Sequence, residues 1–67
     1  MDKQQLDWLQ SVRDYSDGVI GYGGYVIAGP ELHPIDQQLR RLGYVVGMPG
    51  RAFASVITDA GRTALAA

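Results

Sequence analysis

The stretch from residue 35 to residue 65 constrains the fold of this chain more than any other feature. Ile35, Leu39 and Leu42 recur at the spacing of one helix face, which predicts a helix over residues 34–42. A proline opens this segment and a glycine follows it, as at the ends of many helices. We expect the three apolar residues to face the core and the polar residues between them to face solvent.

After this helix the sequence predicts a β-hairpin over residues 44–57. Two runs of β-forming residues flank the loop 47–51, which contains a Pro-Gly pair typical of tight turns. Thr58 is a favourable N-cap for a last helix over residues 59–66. Gly61 lies inside that helix, where we expect it to allow close approach of a neighbouring element.

The first part of the chain predicts one more helix and one more hairpin. Residues 2–15 place their apolar side chains on one half of a helical wheel, uninterrupted by proline or glycine. The segment 18–28 alternates β-forming residues with glycines, and Gly23-Gly24 suits a tight hairpin turn. A short helix weakened by glycine is the alternative. The four glycines within residues 18–24 argue against it, because each costs a helix about 1 kcal/mol relative to alanine.

These patterns predict a single α+β domain over residues 1–67, in the order helix, hairpin, helix, hairpin, helix. A chain this short buries only about 60% of the surface that its unfolded form exposes, so its margin of stability is small. The sequence has no cysteine and one histidine, His33, so we expect no disulfide, no metal site and no cofactor. Ser11, Ser16 and Ser55 have no plausible base nearby, so we do not expect an enzyme.

The distribution of hydropathy bears on where the protein works. No apolar run approaches the roughly 20 residues that a membrane-spanning helix needs. The opening segment, MDKQQLDWLQ, is polar and acidic, unlike a secretory signal. We therefore expect a cytoplasmic protein that makes no membrane contact.

The net charge of −1 conceals an uneven distribution of charge along the chain. Residues 1–33 contain two cationic and five acidic side chains, a net charge of −3. Residues 34–67 contain four arginines and two aspartates, a net charge of +2. A split of this kind can give a domain one acidic and one basic face.

Two segments of the second half carry a resemblance to a known family. Leu39–Val46 (LRRLGYVV) followed by Ile57–Leu65 (ITDAGRTAL) resembles the end of winged-helix regulators such as the multiple-antibiotic-resistance repressors. Small proteins of phages and bacterial mobile elements end in the same way. The resemblance covers roughly residues 34–65 and implies a small winged-helix-like domain. Upstream the sequence departs from the family, because the glycine-rich segment replaces one helix of the usual helix-turn-helix.

The resemblance implies a DNA-binding or transcription-regulatory protein. The helix over residues 34–42 would then enter the major groove, where Gln37 and either Arg40 or Arg41 would reach base edges or phosphates. Arg51 on the wing would contact phosphate or the minor groove. Because so few cations face the phosphates, we expect a homodimer if double-stranded DNA is the partner.

A protein–protein interaction module on the same fold is the alternative, for example an inhibitor or adaptor that acts on a host or phage protein. Aromatic residues dominate the energetically important parts of interfaces. The candidate interface residues are the aromatic ones in the first part of the chain: Trp8, Tyr15, Tyr22 and Tyr25.

Overall fold

A computed structural model describes the backbone of residues 1–67 and every side chain except that of Ala52. The elements in chain order are α1 (Lys3–Ser16), β1 (Val26–Ile27), α2 (His33–Arg41), β2 (Val45–Met48), β3 (Arg51–Ile57) and α3 (Asp59–Ala66). The α+β class is confirmed, as are the three helices, whose bounds differ from the predicted ones by at most one residue.

The helix α1 is fixed at its start by a capping box. The Asp2 side chain accepts a hydrogen bond from the backbone N–H of Gln5, and the Gln5 side chain accepts one from the backbone N–H of Asp2. The apolar face of the helix buries Trp8, Leu9 and Val12. These side chains are half of the buried residues of the hydrophobic core.

The three strands form an antiparallel sheet in the order β1-β3-β2. The predicted hairpin over residues 44–57 is therefore confirmed as β2 and β3. One core joins Val45 and Ile57 of the sheet to Leu39 of α2, to the buried face of α1 and to part-buried side chains of α3. The helices consequently share one side of the sheet, and the opposite side has no helix against it among the described residues.

The predicted hairpin over residues 18–28 is wrong. Of this segment, Val26 and Ile27 alone form a strand, and they pair with β3 rather than with the residues before them. The backbone N–H of Val19 donates to the carbonyl of Asp14, 2.9 Å away, and that of Gly18 donates to the carbonyl of Tyr15, so these residues form the turn that ends α1. Glycines in the left-handed region, among them Gly23 with φ 90°, turn the chain back toward the sheet. The alternative, a short helix, is not present in this described segment either.

The predicted inward orientation of Leu42 is also wrong. The helix α2 ends at Arg41, and Leu42 is its C-cap, with a half-exposed side chain. Gly43 follows with φ 80°, a conformation that favours glycine and ends many helices. Because the chain turns there, Leu42 leaves the stripe on which Ile35 and Leu39 lie.

Two contacts of α3 match the expectations from the sequence. The Thr58 hydroxyl accepts a hydrogen bond from the backbone N–H of Gly61 and donates one to the carbonyl of Gly43. A Cβ atom on Gly61 would collide with the backbone carbonyl of Tyr44 and with Ile57. The close approach predicted for Gly61 is therefore confirmed, and it brings α3 against the start of the hairpin.

Candidate interaction surface

A buried polar network joins α2 to the sheet. Its centre is Asp36, which is 2% exposed. Its carboxylate accepts hydrogen bonds from Trp8 Nε1 at 2.8 Å, from Arg40 Nε at 2.9 Å and from the Ser55 hydroxyl at 2.8 Å. Because a buried carboxylate is stable only when it is paired and hydrogen-bonded, these donors decide whether Asp36 can lie here.

The Arg40 guanidinium is held inside this network. Besides its bond to Asp36, its Nη2 donates to the Ser55 hydroxyl at 2.8 Å and to the carbonyl of Ala54 at 3.2 Å. The prediction that Arg40 points into solvent is therefore wrong. Its charge is neutralised by Asp36, one helical turn away, so it is poorly placed to contact a phosphate.

Beside this network lies a small cleft between α2 and the β1–β3 side of the sheet. We call it the edge cleft; it has a volume of about 110 Å³ and is bordered by Ile27, His33, Gln37, Arg40 and Phe53. Phe53 is 74% exposed and Ile27 is 57% exposed. Two large apolar side chains thus stand in solvent at the rim of a polar floor.

The edge cleft contains hydrogen-bond donors that are not used within the described part of the protein. The carboxylate of Asp36 is already occupied by three side chains. Among the residues whose contacts are described, Arg40 Nη1 has no hydrogen-bond partner, and neither does the half-buried Gln37 amide. The cleft is thus suited to a group that presents a hydrogen-bond acceptor beside an apolar part.

The remaining predicted DNA contacts are dispersed. Arg41 is exposed on α2, one position beyond Arg40 and on a different face of the helix. Arg51 begins β3, and its guanidinium lies 5.0 Å from the centre of the Tyr25 ring, a cation–π contact. Of these two predicted contacts, Arg51 is therefore partly engaged with an aromatic side chain.

The aromatic residues predicted for an interface divide into two groups. Trp8 is 7% exposed and donates to Asp36, so its assignment to an interface is wrong: a side chain held in the core cannot meet a partner. Tyr15 is half-buried, and its ring covers Gly21. Tyr25 is half-buried as well, whereas Tyr22 is almost fully exposed.

Charge is absent from most of the sheet and its turns. Residues 18–30 contain no charged side chain, and residues 42–58 contain only Arg51. The other charged residues lie on the helices or next to them. The sequence suggested one acidic and one basic face. In the structure the charged side chains instead lie mainly on the helices, and the sheet is nearly uncharged.

Sequence reasoning could have found part of this site. Asp36 and Arg40 are four residues apart, the spacing at which side chains meet on a helix. That spacing does not reveal that Trp8 and Ser55, which are distant in sequence, complete the network. Phe53 and Ile27 gave no functional signal, because apolar residues in strands are ordinarily assigned to the core.

The chain matches no family model, no curated protein and no solved structure. The resemblance of residues 34–65 to winged-helix regulators thus stays a prediction. In the part of the chain that the structure describes, none of the helices has the length and apolar character needed to cross a membrane.

Proposed function

We propose that this protein is a small non-enzymatic interaction module that binds another protein at the edge cleft. In this proposal the fold is a reduced winged helix, in which α2 takes the place of the recognition helix, β2 and β3 form the wing, and the glycine-rich segment replaces a helix. The observation that carries the proposal is the withdrawal of Arg40 into the network around Asp36. It removes the central cation from the surface and leaves an apolar-rimmed cleft in its place.

The chemistry of the cleft indicates what the partner presents. Phe53 and Ile27 offer exposed apolar area at the rim, and burial of such side chains supplies most of the energy of association. Arg40 Nη1 and the Gln37 amide offer donors at the floor. A short segment of a partner that carries an apolar side chain next to an aspartate, glutamate or asparagine matches both.

The network also prepares the cleft for binding. Arg40 is fixed by Asp36, Ser55 and a backbone carbonyl, so its free Nη1 is already oriented before a partner arrives. A donor held in place loses little conformational entropy on binding. A fixed Arg40 side chain would be a disadvantage for DNA binding, because it could not adjust its position to reach a phosphate.

DNA binding is the competing proposal, and it now depends on Gln37, Arg41 and Arg51. Affinity for DNA comes mainly from cations that meet phosphates, and it falls as salt rises. The two arginines that remain exposed among the predicted contacts supply little of this affinity, and the net charge of −1 opposes it. With Arg40 held in the network, fewer side chains are free to contact DNA than the sequence predicts.

A peptide-display selection followed by calorimetry tests the proposal. A library of random peptides is selected on the folded protein, and enriched peptides are titrated into the wild type and into Phe53→Ser. Tyr22→Ser is the matched control, because it removes another exposed aromatic ring that lies outside the cleft. In parallel, fluorescence anisotropy measures binding to random duplex DNA at about 50 mM salt.

We expect enriched peptides that combine an apolar and an acidic or amide residue. Phe53→Ser should weaken their binding by about tenfold or more, since exposed aromatic anchors contribute 2 kcal/mol or so at interfaces. Tyr22→Ser should leave the affinity unchanged. The proposal is contradicted if no peptide depends on Phe53 while duplex DNA binds with a steep salt dependence that Arg41→Ala removes.

A further inference from the structure

The hydrogen-bond pattern of the sheet determines which backbone groups of its edge strand β1 are unpaired. The N–H of Thr58 donates to the carbonyl of Tyr44, which continues the β2–β3 ladder by one hydrogen-bonded pair. In an antiparallel ladder, successive residues of a strand turn their N–H and carbonyl groups to alternate sides. Ile57 and Ser55 therefore turn theirs away from β2, and the N–H of Ile57 indeed donates to the Ser16 hydroxyl instead. The N–H and carbonyl of Ser55 consequently face β1.

The same alternation continues into β1. Ser55 is the partner of Val26, so Val26 turns its N–H and carbonyl toward β3. Those of the next residue, Ile27, point away from β3. No other backbone group in the described chain is hydrogen-bonded to them, and Ile27 is 57% exposed. An exposed edge with an unpaired N–H and carbonyl is a template for one more strand.

We infer that the partner segment in the edge cleft binds in an extended conformation, as a fourth strand hydrogen-bonded to the N–H and carbonyl of Ile27. This inference rests on the proposed function, because it concerns the peptide that the edge cleft binds. The addition of a strand to a free sheet edge is a common way in which proteins bind peptides. A helical segment fits this edge poorly, since its own N–H and carbonyl groups are paired within the helix.

The position of the cleft beside this edge allows one segment to use both. Val26 and Ala28, on either side of Ile27, pack against the core on the side of the helices, and Ala28 also borders the cleft. Side chains of neighbouring strands that lie opposite each other share one side of the sheet. The partner residue bonded to Ile27 shares its side, and the residues next to that partner residue share the side of Ala28 and the cleft. One of them can therefore contact Phe53.

A second copy of this chain is a poorer occupant of the edge. Pairing of β1 with β1 would also satisfy the N–H and carbonyl of Ile27. In the second copy, however, Val26 and Ala28 are already packed against their own core. They are thus not available to enter the cleft, whereas a free peptide segment has no such commitment.

Exchange of backbone amides with water tests both the free edge and its occupant. Nitrogen-15 NMR of the full chain compares the Val26 and Ile27 N–H groups, first alone and then with a saturating selected peptide whose binding depends on Phe53. Val26 is the matched control, because its N–H is bonded within the sheet in both states. We expect the Ile27 N–H to exchange fast in the free protein and at least about tenfold more slowly with peptide bound.

N-methylation of the same peptide, one residue at a time, tests the strand without changing the protein. In an extended strand only alternate N–H groups face the neighbouring strand. Methylation of the N–H that donates to the Ile27 carbonyl should weaken binding by about fivefold or more, because one hydrogen bond is lost. Methylation of the next residue, whose N–H points away from β1, is the matched control and should change the affinity by less than about twofold.

The outcomes separate this inference from the proposed function. A peptide that requires Phe53 but leaves the Ile27 N–H in fast exchange would refute the added strand and leave the proposed function intact. Equal weakening by methylation at adjacent positions would do the same. If no peptide depends on Phe53, the proposed function fails and the inference fails with it. Slow exchange of the Ile27 N–H before peptide is added, increasing with protein concentration, also overturns the inference, because a second copy then occupies the edge.

Discussion

Replacement of Arg40 by methionine tests the buried network. Methionine keeps much of the length of the side chain, but it leaves the Asp36 carboxylate without its ion-pair partner. Breaking a buried pair by removal of one partner costs about 3–5 kcal/mol. The lower end applies here, about 3 kcal/mol, because Trp8 and Ser55 continue to donate to Asp36 and because the Arg40 side chain is 22% exposed.

This loss is large for so small a protein. At about 0.05–0.15 kcal/mol per residue, the whole free energy of unfolding is about 3–10 kcal/mol. Urea titration followed by circular dichroism measures it. With a slope near 1 kcal/mol per molar, Arg40→Met should lower the midpoint by about 3 M, or leave the chain unfolded in water.

Arg41→Met is the matched control on the same helix. Arg41 is exposed, and a surface substitution of this kind usually changes stability by less than about 0.5 kcal/mol. A double-mutant cycle with Asp36→Asn completes the test: once Asp36 is neutral, Arg40→Met should cost at least about 1.5 kcal/mol less. Equal stabilities of Arg40→Met and Arg41→Met would refute the reasoning, because the Arg40 guanidinium would then be an ordinary surface group.

Two further predictions concern α3. Arg62 donates two hydrogen bonds to Asp17, and these bonds lower the pKa of that carboxyl below its usual value near 4. A lowered folded pKa adds stability above the unfolded pKa. In pH-dependent thermal unfolding, the advantage of the wild type over Asp17→Asn should therefore be present at pH 6 and disappear as the pH falls below about 4; an advantage that grows toward acid would contradict this. Gly61→Ala should destabilise the fold by about 1–3 kcal/mol in urea titration, because its Cβ collides with the carbonyl of Tyr44. Helix propensity alone predicts a gain of about 1 kcal/mol, so a stabilised variant would show that α3 is free to move.

The helices could be predicted from the sequence because their signals are local. Apolar spacing and caps such as Asp2 and Thr58 lie within a few residues of the structure that they determine. The role of Gly61 was also accessible, since a glycine inside a helix ordinarily has a packing reason. The hairpin formed by β2 and β3 follows from its Pro-Gly turn.

The segment 18–28 could not be predicted in the same way. Its glycines permit several backbone conformations, and the choice is made by a partner that is distant in sequence. The strand β1 pairs with Ser55 and Ala54 of β3, whereas Gly18 and Val19 bond back to the last turn of α1 and end that helix. Local pattern alone does not distinguish this arrangement from a hairpin.

The candidate interaction surface was the hardest part to predict, for a related reason. From the sequence, Asp36 is an ordinary acidic residue in the first turn of a helix, and Arg40 is one of several arginines on the outward side. The contacts of Asp36 with Trp8 and Ser55 exist only once α1, α2 and β3 have assembled. Contacts between residues that are distant in sequence thus determine whether Arg40 is a surface cation or an internal group.

The rate at which the Arg40 side-chain N–H exchanges with water tests directly whether the Arg40 guanidinium is buried in the network or exposed to solvent. Nitrogen-15 NMR resolves the Nε–H signals of Arg40 and Arg41 on the same helix, and the rates at which they exchange with water can be compared. The Arg40 Nε–H donates to a carboxylate that is 2% exposed, so we expect it to exchange many times more slowly than that of the exposed Arg41. If the two signals exchange at the same rate, Arg40 lies in solvent. The network and the preference for a protein partner over DNA would then be contradicted.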